Sequence, residues 1–386
     1  MLAYAWDAGE FTASDAMAAT ALTRSTTIDA MDTLAELGLL SELPNARAVG
    51  DYRKGRPARR FVLAEAAAVL VGVDAGESHL VVAVTDLRSE PLSTVRVDLD
   101  PEALDAGARA ERIVAVVDEA LAEAGARRAD VVSLCIGVPA PVNSAGRSPS
   151  HRTGFWERTN PGLVDAFGWA PIVRIDNDAS LAAVAEGAVG AAVGCRDYIA
   201  LLAGVRLGAG VVVDGHLLRG AHGGVGEMVA FDHVVGVRSA HGLGMLASLW
   251  AAAAVERGEV NPDGQLAQLR PEAIDARVVL KLADGGDPDA QRIVEQVGVV
   301  LARVVSVLGS MFDPGRVVVS GAISAGASEV VAAARAALPT DLDLPAPELV
   351  LSELGADVVM LGAVAAASDA ARVGALDVWE RFREQR

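Results

Sequence analysis

AVLVGVDAGESHLVVAVTDLRSEPLSTVRVDL, residues 68–99, holds three runs rich in valine and leucine, separated by turn residues. Short runs of branched side chains bounded by Gly, Ser, Glu and Pro read as strands, and three in succession predict a meander. Downstream, helical patterns over 107–125 and 179–193 flank strand patterns over 131–137 and 171–176. A second strand group begins at 198, with Asp214-Gly215 marking a hairpin turn inside LGAGVVVDG. Helical segments near 288–311, 326–337 and 361–373 then alternate with the strands VVVSGAI and ELVLSEL. This alternation predicts an α/β body of two layered lobes with a cleft between them.

Upstream of that body the pattern is different. Residues 2–40 read as three short helices, the last carrying Leu22, Ile28, Met31, Leu34 and Leu37 mostly at three-residue spacing and stopped by Gly38. Thr12 and Thr23 stand where an N-cap hydroxyl would accept a backbone N–H. Two capped helices joined by a short turn suit a helix-turn-helix, and the basic segment 41–64 suits a hairpin wing.

The charge of −18 argues against nucleic acid until it is divided along the chain: residues 1–64 carry −1 and the remainder −17. Within 45–60, six bases face the single acid Asp51, which makes a local phosphate-seeking patch. A recognition helix would present Arg24, Ser25, Thr26 and Thr27 to base edges at its first turn; read without a partner, these are an exposed capped turn. Lys54-Gly55-Arg56-Pro57, with Arg59 and Arg60 behind it, is narrow and stiffly extended, so its arginine can enter an A·T-rich minor groove. The bland reading is a solvated basic loop.

No run reaches about 18 apolar residues without a break, and no basic region precedes an apolar core at the N-terminus. The expectation is a cytoplasmic protein without membrane association. Cys135 and Cys195 are far apart and form neither a disulfide framework nor a metal knuckle.

Seven motifs occur in order: KGRPARR, VGVDAGESHLVVAVTDL, IGVPAPV, IDNDAS, LGAGVVVDG, RGAHGGVGE and DPGRVVVSGAIS. Together they make the chain resemble the ROK family (repressors, open reading frames and kinases) from about residue 10 to 375, and in particular its xylose- and N-acetylglucosamine-type repressors. The resemblance implies a winged helix-turn-helix at 1–64 followed by a two-lobed actin-like, ribonuclease H-like sugar-kinase fold. Its first lobe would span 69–178, completed by the C-terminal helix 366–386, and its second lobe 179–365. In similar kinases the residue matching Asp178 is the base that takes a proton from the sugar hydroxyl. Asn177, Asp178 and Glu227 are therefore candidate sugar contacts, with His151 and Arg152 in a loop that contacts ligand in relatives. For Asn177-Asp178 the alternative is a helix N-cap for 179–193, and the two roles are compatible. Relatives carry more residues ahead of the first helix, which points to a start upstream of Met1.

The departures from the family pattern argue against phosphoryl transfer. Where similar kinases have D-x-G-G-T-K, this chain has Asp74-Ala75-Gly76-Glu77-Ser78-His79, so Glu77 places charge where a phosphate should approach backbone. The second phosphate loop reads Gly204-Val205-Arg206-Leu207-Gly208-Ala209-Gly210, without its threonine and second glycine. Gly321-Ala322-Ile323 resembles the adenosine-side segment and is expected to be left with a packing role. The family's zinc histidine falls at Ala230, its cysteine segment has become GVRSAHGLGMLAS, and the glutamate closing that segment falls at Ala247. Asp232, His233 and His241 without thiolates make a poor zinc site, so neither zinc nor ATP is expected.

These readings converge on a sugar-responsive transcriptional regulator, a repressor of carbohydrate-utilisation genes acting as a homodimer or homotetramer. Its partners would be a double-stranded DNA operator and a sugar or sugar-derivative effector. The rivals are an active ATP-dependent sugar kinase with a DNA-binding head, and a DNA-binding protein that responds to no ligand.

Overall fold

The structure, a computed structural model, describes residues 1–44, 58–101, 103–237, 239–340 and 344–385. The chain begins with α1 (Leu2–Asp7), β1 (Phe11–Thr12), α2 (Ala13–Thr20) and α3 (Arg24–Glu36), followed by β2 (Leu40–Glu42) and β3 (Arg60–Leu63). The Thr12 hydroxyl accepts from Asp15 N–H, and Asp15 reaches back to the Thr12 amide, closing a capping box. Thr23 caps α3 through Thr26 N–H, and Gly38 leaves the helix at φ +78°. β2 and β3 pair antiparallel, Leu40 opposite Leu63, with β1 on the other edge of β3. The expected wing tip, with Lys54 and Arg56, lies outside the described residues.

The first body sheet is built from β4 (Val69–Asp74), β5 (His79–Thr85) and β6 (Pro91–Asp98), the predicted meander. It continues, across α4 (Ala106–Glu123), with β7 (Val131–Val138) and, after α5 (Phe155–Thr159) and α6 (Leu163–Ala166), with β8 (Ile172–Asn177). Its order is β6-β5-β4-β7-β8, antiparallel within the meander and parallel from β4 to β8.

After α7 (Asp178–Val189), the second sheet repeats that plan. β9 (Tyr198–Leu202), β10 (Gly208–Val213) and β11 (His216–Leu217) form its meander. Helices α8 (Leu243–Glu256), α9 (Ala276–Asp284) and α10 (Pro288–Phe312) lead to β12 (Arg316–Ser320), and α11 (Ser328–Ala337) leads to β13 (Glu348–Leu351). The order β11-β10-β9-β12-β13 has the same alternation of antiparallel and parallel pairs. The β10–β11 turn falls on Asp214 and Gly215, both at positive φ, as the Asp-Gly pair predicts.

The last helix, α12 (Val358–Gln385), corrects an expectation. The sequence pattern predicts helix over 361–373 and a boundary at 366, whereas one helix of 28 residues runs through both. Gly362 lies inside it where a tight contact requires glycine: a β-carbon there would lie 1.9 Å from the Leu181 carbonyl oxygen of α7. At about 1.5 Å per residue, α12 is roughly 40 Å long. One end packs on β4, β7 and α7, while Trp379 and Phe382 at the other bury against the head. There the Trp379 indole donates to the Leu37 carbonyl (2.9 Å), Trp6 donates to the Ser368 hydroxyl (3.2 Å) and Arg372 pairs with Asp7. Trp6, Asp7, Cys195 and the α7 and α12 surfaces enclose a cavity of about 630 Å³ at this joint.

α10 and α12 are long and apolar enough to cross a membrane by length and composition, yet more than half of the apolar stretch of each is buried inside the fold.

Candidate functional site

The IDNDAS motif carries β8 into α7. Asn177 is the N-cap: its side-chain oxygen accepts from Ser180 N–H (3.0 Å) and its amide nitrogen donates to the Ala140 carbonyl (3.2 Å). Its amide thus serves the fold, tying the 136–142 motif to the start of α7. Asp178, next along, has one carboxylate oxygen accepting from Ala179 N–H at 2.7 Å. Burial above all, helped by the nearby Asp74 and Glu227 carboxylates and opposed by the Ala179 hydrogen bond, pushes its carboxyl up to about 7. Glu227 is likewise raised, by burial, with the Arg206 guanidinium opposing. The structure therefore brings Asp178, Glu227 and Asp74 into one electrostatic neighbourhood from three separate motifs. A carboxyl titrating near neutrality can accept a hydroxyl's hydrogen bond or hold its proton.

The first phosphate-loop segment is held from behind. Arg109, buried on α4, donates to the carbonyls of Ala75 (2.8 Å), Gly76 (2.6 Å) and Glu77 (3.4 Å). The sequence reading missed this residue, although a signal existed: Arg109 falls on the same helical stripe as the buried Ile113, Val116 and Ala120. His79 stacks over the same turn, with its Nε2 3.0 Å from Asp74 Oδ2. That hydrogen bond raises the imidazole above its ordinary range.

Glu77 from this loop and Arg206 from the second loop line one cleft of about 790 Å³, and His151 and Arg152 line it too. The second loop is braced by Leu207 N–H to the Ala240 carbonyl and Gly242 N–H to the Val205 carbonyl. His151 accepts from or donates to the Thr153 hydroxyl (2.9 Å) and its ring packs on Trp156, which itself leans on the first-lobe core. Asp232, His233 and His241 edge the same cleft, but among the described residues no three His, Cys, Asp or Glu side chains are grouped to hold a metal. The residues at the family's zinc position therefore do not fit zinc. Ile323 packs in the second-lobe core as expected, and with Ala322, Val205 and Met245 it also lines an adjoining open cavity of about 680 Å³.

On the head, Arg24, Ser25 and Thr26 are exposed at the first turn of α3. Thr27 is a correction: it is fully buried, its hydroxyl donating to the Thr23 carbonyl, because position 27 falls on the inward face with Met31 and Leu34. Arg59 pairs with Asp32 (2.7 Å) and Glu42 (2.8 Å), and Arg60 pairs with Glu10 (2.5 Å). Both arginines behind the wing are thus already ion-paired within the head.

Across 309 residues the chain is 26% identical to the DNA-binding transcriptional dual regulator NagC of Escherichia coli K12, covering 75% of this chain and 71% of that one. The DNA-binding transcriptional repressor Mlc of the same organism is 24% identical over 290 residues, 71% of this chain and 68% of its own. In fold, the chain is similar to the crystal structure of a ROK family transcriptional regulator homologous to the E. coli Mlc protein. The two match with a TM-score of 0.75 at 21% identity, over 96% of this chain and 95% of that one. A ROK family glucokinase from Streptomyces griseus, solved with glucose and AMPPNP, matches with a TM-score of 0.59 at 24% identity over 78% of this chain and 99% of its own. The fold is therefore the actin-like sugar-kinase fold behind an N-terminal helix-turn-helix. The ROK family profile matches residues 70–370, a span that holds both sheets and every cleft residue described above, and the chain belongs to the ROK family.

Proposed function

We propose that this chain is a sugar-responsive, DNA-binding transcriptional regulator, a repressor of carbohydrate-utilisation genes whose kinase-like body serves as the sensor. The observation that carries the reading is the seating of the helix-turn-helix directly on α12, the helix whose other end packs against α7 and β4, the elements that carry Asp178 and Asp74. Similarity to NagC and Mlc, both named as DNA-binding regulators, supports it. A sugar or sugar derivative binds Asp178 and Glu227, with Asn177 shaping the strand end and His151 and Arg152 on the opposite rim. Binding shifts the lobes between open and closed populations. The head meets an operator through Arg24, Ser25 and Thr26 in the major groove and Lys54 and Arg56 in the minor groove. The protein acts in the cytoplasm as a homodimer or homotetramer, so a two-fold operator would have half-sites about one helical turn, or a multiple, apart.

Fluorescence anisotropy on DNA from beside the protein's own gene, at one stated salt concentration, with and without a panel of sugars and sugar phosphates, tests this. Specific binding loosened about tenfold by one sugar, roughly 1.4 kcal/mol of coupling, is the expected result. Binding that no sugar perturbs would remove the sensor role. A second reading, a sugar kinase, is favoured by the neutral-range Asp178 carboxyl and the open cavity beside Ile323. Glu77 and the altered second loop weigh against it; ATP-dependent phosphorylation of any sugar in the panel, abolished in Asp178→Asn, would establish it instead.

A further inference from the structure

Arg219 opens RGAHGGVGE, the segment after β11 that ends in Glu227, and its side chain leaves the second lobe altogether. One of its Nη atoms lies 2.6 Å from Asp176 Oδ2, on the edge strand β8 of the first sheet. Asp176 is 3% exposed, takes Arg174 at 3.2 Å on the same oxygen, and accepts Asn177 N–H on the other. A buried carboxylate with two guanidinium partners and a backbone donor is a firmly held charge. The same segment touches the first lobe once more: a β-carbon at Gly223, which sits at φ +73°, would lie 2.0 Å from the Val142 carbonyl oxygen.

We propose that Arg219 and Asp176 form a clamp between the two lobes that sets the opening of the ligand cleft, with Arg219 as the positioning residue. The segment that provides Arg219 also provides Glu227, and the strand that provides Asp176 runs on into Asn177 and Asp178. The clamp therefore sits one or two residues from candidate ligand contacts on the first-lobe side and within one loop of them on the other.

Two other contacts fix less. Ala179 packs on Gly208 and Gly210, but it rides on α7 and ties that helix to the second sheet only. The packing of α12 on α7 is a helix-on-helix surface of the kind that slides or pivots. A charged point contact from the segment after β11 to the edge strand β8 is what holds an angle against such a pivot. Removing Arg219 leaves Asp176 still paired with Arg174, so the fold tolerates the change while this charged link between the lobes is lost.

The sugar arm of the test rests on the function proposed above, and the exchange arm does not. Hydrogen exchange on the full-length, unliganded chain is compared for the parent, Arg219→Gln and Arg219→Lys. In Arg219→Gln, amides of 220–227 are expected to exchange about tenfold faster, while those of β9 and β12 stay unchanged. Arg219→Lys, which keeps the charge, restores most of the protection. Unchanged exchange at 220–227 in Arg219→Gln, or equal loss throughout the second sheet, overturns the clamp. In parallel, anisotropy with glucose and N-acetylglucosamine as probes is expected to show about tenfold weaker sugar response in Arg219→Gln, with unliganded DNA affinity held within about twofold. A sugar response equal to the parent's overturns the clamp; if the parent itself responds to neither probe, the exchange result alone decides it.

Discussion

At Asp178, three effects meet that a sequence shows only separately: burial, two like charges and backbone hydrogen bonds. Because the folded carboxyl is raised to about 7, protonation is favoured in the fold. Its stabilising contribution is complete below its ordinary value of 3.8 and is lost as pH rises through about 7. Asp178→Asn removes that ionisation, so the variant should melt above the parent at pH 8, by the equivalent of about 2–4 kcal/mol, and alongside it at pH 4. Melting curves across that range check the sign, and the same variant should lose its sugar response. On the head, Arg24→Ala should cost about 1–3 kcal/mol of operator affinity and relax specificity at one base pair. Anisotropy on operator and scrambled DNA separates that from a loss of general attraction. Thr27 warns against reading a cap sequence as a contact surface. Four consecutive polar residues were equally available on paper, and only the helical phase against Met31 and Leu34 takes the fourth inside.

Single elements were legible in proportion to how local their causes are. The caps at Thr12 and Thr23, the stop at Gly38, the meander over 68–99 and the Asp214-Gly215 turn are each dictated by a few neighbouring residues, and the structure has them in place. The full extent of α12 was not legible, because its turns beyond 373 are stabilised by docking Trp379 and Phe382 on the head, a contact far away in sequence. Arg109 and Arg219 escaped for a similar reason: their partners are backbone carbonyls or a carboxylate about thirty or more residues away. The Asp178–Glu227–Asp74 grouping was half legible, since Asp178 and Glu227 were singled out by resemblance while Asp74 was noted only as part of a broken motif. For α12 the docking of its last turns on the head makes a distinct prediction. Trp379→Ala should cost about 3–5 kcal/mol at that joint. Calorimetry should then resolve separate head and body transitions, and DNA binding should persist without a sugar response.

Over the whole molecule, the uneven charge decides how DNA is met. A body carrying −17 repels the phosphates that a head of −1 must approach, so binding depends on a few well-placed cations. Arg56→Ala should lower the slope of log affinity against log salt by about one. A titration series from low to moderate salt measures it. The two cysteines add a practical consequence of the joint between head, α7 and α12. Cys135 is sealed inside the first sheet, where burial pushes its thiol up to about 12 and leaves it inert. Cys195 is partly buried and lines the joint cavity, as do Trp6 and Asp7. A maleimide dye added to the unaltered protein should therefore attach at one place, and its emission would report, in real time, how the head moves against the body when a ligand arrives.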